Sequence, residues 1–413
     1  MSKKIKLAFI FENNKEQGGN FVTEISTAKR LLKLKKDNLE ILFYSSDKRN
    51  LPIIKDYNID AKYLKLSQPN LFLLGVYKSI KNRILKSIFD LVFNFNFLEK
   101  ELLKDKIDLV HYNGMSPFAI LLNKINFGVT FWDCGHIDHP EFPESTENYL
   151  DFENRESLYN LILKKSTYII TDSQENIDSI VNFYRIKKDK IYKIYSEPSQ
   201  GVLMNTNKND EKLSIEILDK FKIFKKNYLF YPAQFWSHKN HAYILEGINI
   251  LKKKYQKNFD IVFSGTDKFD NSKNLENISQ NLNLEKNLKI VKFVDDKTLY
   301  HLYKNSFAIV VPTYFGPTNH LPLEAFCLGV PVFYSKIHSQ NEQVKGAVID
   351  IDLSNPNNLA EKINEMIQNK ELRENIIKKG YDKFDELKSK ISKNEQIFYS
   401  VLKNFEEKRK NWS

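Results

Sequence analysis

The chain has 413 residues, 42% hydrophobic and 28% charged, which suits two globular domains and argues against disorder. Apolar runs are too short for a membrane-spanning helix, and two distant cysteines, Cys134 and Cys327, argue against a disulfide framework or a zinc cluster and fit a reducing cytoplasm. A net charge of +11 fits a phosphorylated substrate or an anionic surface, but also a merely solvated exterior.

In chain order, short apolar runs alternate with helical stretches, as in parallel βαβ units. The N-terminal run Ile5–Phe11 lacks a small-residue cleavage site and reads as a first strand rather than a signal peptide. Further strands are expected at Leu39–Tyr44, Asp108–Tyr112, Val129–Trp132, Tyr168–Thr171 and Lys190–Tyr195. Helices are expected between them at Thr27–Leu34, Pro117–Asn123 and Glu175–Phe183. Around Ser199–Glu216 the apolar pattern gives way to Asn, Lys, Ser and Thr, which reads as a linker.

The alternation then restarts. Strands are expected at Tyr228–Pro232, Phe259–Phe263, Leu288–Phe293, Ala308–Pro312, Val332–Tyr334 and Val348–Ile351. Helices are expected at His241–Tyr255, Lys297–Tyr303, Pro322–Leu328, Leu359–Ile367, Leu372–Phe384 and Ile391–Lys408. The resulting domains are an N-terminal one over 1–200, a C-terminal one over 215–387, and a final helical segment over 388–413. Open parallel sheets bind ligands outside the carboxyl ends of their strands, where loops meet helix N-termini.

That criterion selects four segments. In Val310–Ser335 a strand is followed by a Gly-Pro-Thr-Asn turn and a helix holding Glu324. Amides near Thr318 and Asn319 suit an anion, and a carboxylate one turn into a helix suits vicinal hydroxyls. A strand–turn–helix with one carboxylate is also ordinary structure. Tyr231–His241 follows the first strand of the second half and carries Lys239, a cation beside a helix N-terminus. Gly18 and Gly19 lie between a strand and a helix without a dinucleotide fingerprint, which disfavours a nicotinamide enzyme. Phe131–Glu144 is dense in Asp133, His136, Asp138, His139 and Glu141, yet no third ligand stands out, so no metal is expected.

Val310–Ser335 resembles the donor motif of the family 4 (group 1) retaining glycosyltransferases, which have the GT-B fold: two Rossmann-like domains with parallel sheets facing a central cleft. There, two glutamates are separated by seven residues and followed by Ala and a Gly-x-Pro-Val strand. Glu324-Ala325 and Gly329-Val330-Pro331-Val332 match the second half of that motif, while Gly316 stands where the first glutamate belongs. The Phe-Gly-Pro-Thr-Asn wording is similar to that of one branch of the family. Lys239 matches the family lysine, and Gln234 stands where the family has an arginine, so His238 or His241 would have to compensate if protonated.

The resemblance implies a nucleotide-sugar donor such as a UDP- or GDP-sugar, held by Gly18, Gly19, Gln234, Lys239, Thr266, Phe293, Gly316, Thr318, Asn319 and Glu324. It implies that Lys239, Asp133 and His136 serve catalysis and that His111, Asn113 and Ser173 line the acceptor side. The final helix would return toward the N-terminal domain. The implied activity is that of a hexosyltransferase: retaining, metal- and cofactor-independent transfer to a glycan or lipid-linked acceptor, in surface polysaccharide or lipopolysaccharide synthesis. A sugar-nucleotide 2-epimerase and a non-catalytic sugar-nucleotide-binding subunit share the architecture and stand as alternatives. Nucleic-acid binding is disfavoured because the basic residues are dispersed.

Residues 71–97 interleave Lys78, Lys81, Arg83 and Lys86 with Tyr77, Ile80, Ile84, Leu85, Ile88 and Phe89. A basic amphipathic helix of this kind suits either an anionic membrane surface or packing on a sheet. The expected location is therefore cytoplasmic, with peripheral attachment to the inner face of the plasma membrane as one reading.

Overall fold

The computed structural model describes residues 4–14, 19–34, 38–65, 76–77, 80, 82–93, 96–146, 149–205, 210–267, 270–316 and 318–410. Its strands are β1 (Ile5–Phe11), β2 (Leu39–Ser45), β3 (Ala61–Tyr63), β4 (Leu109–Tyr112), β5 (Asn126–Thr130), β6 (Tyr168–Thr171), β7 (Ile191–Lys193), β8 (Tyr228–Tyr231), β9 (Asp260–Ser264), β10 (Leu288–Val291), β11 (Ala308–Val311), β12 (Val332–Ser335) and β13 (Ile349–Ile351). The first-half helices are α1 (Gly19–Lys33), α2 (Asn50–Asp56), α3 (Arg83–Phe93), α4 (Phe97–Lys104), α5 (Gly135–Asp138), α6 (Pro143–Thr146), α7 (Tyr149–Lys165), α8 (Gln174–Tyr184) and α9 (Gln200–Asn205). The rest are α10 (Glu211–Phe221), α11 (His241–Tyr255), α12 (Asn271–Asn281), α13 (Asp296–Asn305), α14 (His320–Cys327), α15 (Pro356–Gln368), α16 (Lys370–Ile391) and α17 (Asn394–Arg409).

The chain divides into two units, one of Met1–Trp132, Tyr149–Ile194 and Lys393–Ser413, the other of Asp133–Asn148 and Tyr195–Ser392. The first unit holds a parallel sheet in the order β3-β2-β1-β4-β5-β6-β7. Leu7, Ala8, Phe9, Ile10 and Phe11 are all buried, the continuous apolar run expected of a strand covered on both faces. The C-terminal helix α17 belongs to this unit. Its Phe398, Val401, Leu402 and Phe405 enter the same core as Phe9 and Tyr168, and Arg409 pairs with Asp108 at 2.6 Å.

The second unit holds a parallel sheet in the order β10-β9-β8-β11-β12-β13. In each sheet the chain builds outward from one strand and then returns to build the other way. The reversal falls between β1 and β4 in the first unit and between β8 and β11 in the second. Such a switch point leaves a crevice at the carboxyl ends of the two strands, and ligands bind there.

Several expectations need correction. Ser199–Glu216 is not a linker: α9 and the start of α10 lie in it, with Val202 buried and Gly201 so close to Asp296 that a side-chain carbon would collide with it. Few apolar residues hold this stretch down, so its polar composition disguised it. Pro117–Leu121 forms a 3-10 turn rather than an α-helix, started by Ser116, whose hydroxyl accepts from the Phe118 N–H. The fifth strand runs over Asn126–Thr130, earlier than expected, because Thr130 and not Trp132 is its last paired residue. Asp133–Asn148, which follows that strand in sequence, belongs to the second unit.

Candidate functional site

In the second unit the loops after β8 and β11 meet at the switch point. After β8 the chain runs through Gln234 into a 3-10 turn at Ser237–Lys239 and then α11. The β9 loop pins this stretch: the Phe235 N–H donates to the Thr266 carbonyl (3.2 Å), and Gln234 Nε2 donates to Thr266 Oγ1 (3.1 Å). Gly265 faces the Ala233 carbonyl so closely that a Cβ would stand 2.3 Å from it, a fit only glycine allows. Gln234 Oε1 also accepts from Trp236 Nε1 (2.5 Å), so both ends of this amide are used inside the protein.

Lys239 is half-buried, and its ammonium makes no hydrogen bond or ion pair with the described residues. Burial pushes its pKa below the ordinary lysine value, while the charges of Asp133 and Glu144 oppose that shift. Asp133 Oδ1 accepts from the Gly135 N–H (3.0 Å), and His136 is buried in the short helix α5. Asp133, His136 and Lys239 thus lie in one unit. Neither nearby histidine supplies the cation missing at Gln234. Burial lowers His238 to about 4 and His241 to about 3. His241 packs as a core residue, its ring 5.0 Å from Phe235 and 4.7 Å from Tyr231.

After β11, side chains fix the turn. Thr313 Oγ1 donates to the Phe315 carbonyl (2.8 Å), and Asn319 Nδ2 donates to the Gly316 carbonyl (3.2 Å) and to Tyr334 Oη (3.0 Å). Gly316 has a φ of +92°, a conformation that side-chain-bearing residues resist. The turn therefore requires glycine where the resembling family has glutamate. Asn319 is the residue before α14, and its N–H already donates to Gln343 Oε1 (3.1 Å), so that amide is engaged within the protein. His320 Nδ1 bonds the Glu197 carbonyl (2.6 Å). Glu324 is buried one turn into α14, and its Oε1 accepts from the Ser199 N–H (3.2 Å). Phe293, just beyond β10, is an aromatic side chain at a strand end and is 44% exposed.

The acceptor-side candidates lie in the first unit. His111 is fully buried; Nδ1 contacts Tyr168 Oη (3.1 Å), Nε2 contacts Thr130 Oγ1 (3.2 Å), and burial lowers its pKa to about 3. As placed it is a core residue with both nitrogens engaged. Asn113 accepts from Thr27, donates to Thr23, and offers its carbonyl to Trp132 Nε1 (2.7 Å). Ser173 caps α8 through the Asn176 N–H (3.1 Å). Gly19 opens α1 with free space around its Cα, and Gly18 lies outside the described residues.

One pair of residues escaped the sequence reading. Glu12 follows β1, and Ser116 follows β4; the Ser116 hydroxyl donates to Glu12 Oε1 (2.6 Å) across the first unit's switch point. Beneath it, buried Glu24 accepts from the Glu12 N–H (3.0 Å) and from Asn13. Burial raises Glu12 to about 7, with the Ser116 bond pulling the other way. The sequence signal was a carboxylate directly after a strand, which is common enough to pass unnoticed. Among the described residues, no group of three or more His, Cys, Asp or Glu is arranged to hold a metal.

Comparison with known proteins now bears on this geometry. Residues 215–383 match the family model of the group 1 glycosyl transferases. The chain is 23% identical over 230 residues to an uncharacterised glycosyltransferase of Methanocaldococcus jannaschii, covering 53% of this chain and 57% of that one. It is 26% identical over 210 residues to the capsular polysaccharide biosynthesis glycosyltransferase CapH of Staphylococcus aureus, covering 50% of this chain and 54% of that one. Each alignment thus spans little more than half of the relative's length. The structure of HepE from Anabaena, in complex with UDP and glucose, aligns at a TM-score of 0.70 with 17% identity, covering 97% of this chain and 100% of that one. The fold is GT-B, with two Rossmann-like parallel-sheet units. The likeness to the group 1 glycosyl transferases is carried by residues 215–383.

Proposed function

We propose that the chain transfers a sugar, in the manner of a hexosyltransferase, from a nucleotide-diphosphate sugar to a glycan or lipid-linked acceptor with retained anomeric configuration, in the synthesis of a surface polysaccharide. The observation that carries this reading is the second unit's switch point, where the pinned turn with Lys239 follows β8 and the helix with buried Glu324 follows the neighbouring β11. A diphosphate leaving group gains negative charge as the glycosidic bond breaks, and a fixed, partly desolvated cation stabilises that charge. Lys239 takes this role, Glu324 accepts from ribose hydroxyls, and the exposed Phe293 lies against the base. The similarity to CapH supports polysaccharide synthesis, and UDP with glucose in HepE supports a UDP-sugar as the first donor to try.

Gly316 and Gln234 leave this site with one carboxylate and one cation fewer than the resembling motif. Lys239→Ala should lower turnover of the cognate donor by roughly 10²-fold or more, in line with loss of a transition-state charge contact, and Glu324→Ala should lower kcat/KM through weaker donor binding. Unchanged turnover in both would refute the assignment. The anomeric configuration of the product, read by NMR coupling constants, tests retention.

The membrane reading draws support from α3. Ile84, Leu85, Ile88, Leu91 and Val92 recur at helical spacing on one face and are 51–81% exposed. Lys86 is the basic residue of this stretch whose side chain is described; its ammonium lies 4.3 Å from the Tyr77 ring centroid. Lys78, Lys81 and the Arg83 side chain lie outside the described residues. Binding to phosphatidylserine vesicles should appear at low salt, weaken as salt rises, and vanish in Leu91→Glu. Equal binding by that variant would contradict docking through α3.

A further inference from the structure

Glu144 is absent from the motif-based assignments, yet it is the carboxylate most firmly tied to the Lys239 turn. It lies in α6, within the part of the chain that follows β5 but belongs to the second unit. Its Oε1 accepts from the His238 backbone N–H (2.7 Å) and from the His238 Nδ1–H, with both side chains nearly buried. On the other side of the turn, the Tyr314 N–H donates to the His238 carbonyl (3.0 Å), and the Phe315 ring stacks on His238 with centroids 3.9 Å apart. Phe315 in turn covers Gly135, where any side chain would strike the ring, and stacks on His139 at 5.8 Å. The turn Ser237–Lys239 is therefore gripped by α6 on one side and by the β11 loop on the other.

We propose that Glu144 is a positioning residue of the donor site: it fixes the turn that presents Lys239 and sets a negative charge against that cation. This rests on the glycosyltransferase reading above. The charged and titratable groups facing Lys239 are Asp133 and Glu144, His238 on the same turn, and His241 at the start of α11. Both histidines are neutral at physiological pH. Burial opposes ionisation of Glu144, but the two His238 donors outweigh it and hold the carboxyl below its usual range. Glu144 is thus ionised at neutral pH, and its charge opposes the desolvation that pulls Lys239 down.

The two actions separate by substitution. Glu144→Gln keeps an oxygen that accepts both His238 bonds but removes the charge; Glu144→Ala removes both. The test is calorimetric titration of the full chain with UDP and, in parallel, GDP, from pH 6 to 10. Wild-type affinity for whichever nucleotide binds should fall at high pH as Lys239 deprotonates. E144Q should stay within about threefold of wild type at pH 7 but lose affinity at lower pH, its basic limb displaced by half a unit or more. E144A should bind at least tenfold more weakly at pH 7. A basic limb in E144Q that coincides with wild type would overturn the electrostatic half, and wild-type affinity in E144A would overturn the positioning half. If E144A fails to fold, the E144Q limb still decides. Lys239→Ala separates this inference from the reading beneath it: wild-type affinity there refutes the donor site itself. Lost affinity in K239A, with both Glu144 variants behaving as wild type, refutes only the role of Glu144.

Discussion

Gly316 shows how one backbone angle can decide the chemistry of a site. At φ +92° a residue with a Cβ is strained, although the space around this glycine is open. Gly316→Glu, which would recreate the two-glutamate wording, should destabilise the protein by about 1–2 kcal/mol, the usual cost of a left-handed backbone. Urea denaturation of the variant checks this; an unchanged midpoint would mean the turn re-forms without strain. Glu12 makes a second prediction at this scale. Burial holds its folded pKa at about 7, above the ordinary carboxylate value of 4.5. The folded state therefore holds a proton that the unfolded chain releases, and its contribution to stability is full below about pH 4.5 and lost as pH rises to about 7. Glu12→Gln should flatten this fall and gain about 2 kcal/mol at pH 8 relative to wild type, measured by denaturation at pH 5 and pH 8. Equal pH slopes would show that Glu12 ionises freely.

Among the elements, the apolar strands were the most legible in the sequence. Ile5–Phe11 and Tyr168–Thr171 were expected with the bounds they have, because an unbroken apolar run of that length between polar segments has few other uses. Amphipathic helices with many charges were harder. α7 was missed because its buried Ile162 and Leu163 come only at its end, and α12 because Leu275 is its one large buried apolar side chain. The candidate site was legible as far as strand ends and turns mark it, which covers Lys239, Gln234, Gly316 and Glu324. The grip of Glu144 on His238 was not, since 94 residues separate them and only the folded chain brings them together. Ser173, which the resemblance places on the acceptor side, also has a local role: its hydroxyl caps α8. Ser173→Ala should cost about 1 kcal/mol of stability through the lost cap. If it instead lowers acceptor use without changing the melting temperature, the cap is not its main role.

At the scale of the whole molecule, two sheets of the same handed construction each place polar groups at their own switch point. One holds Glu12 and Ser116; the other holds Lys239, Gly316 and the start of α14. The resemblance to group 1 glycosyl transferases is concentrated in the second unit, where the family match runs over residues 215–383. That is also where cation, buried carboxylate and exposed aromatic side chain follow three different strands of one sheet, β8, β11 and β10. On the reading proposed above, this unit binds a nucleotide-diphosphate sugar through Lys239 and Glu324. The most direct measurement is thermal unfolding of the wild type, Lys239→Ala and Glu324→Ala against a panel of UDP-, GDP- and ADP-sugars. A specific ligand at about 100 times its Kd adds about 2.7 kcal/mol to stability. At least one donor should raise the wild-type melting temperature by several degrees and leave both variants unshifted. A panel that shifts nothing, or a donor that stabilises all three proteins equally, would contradict it.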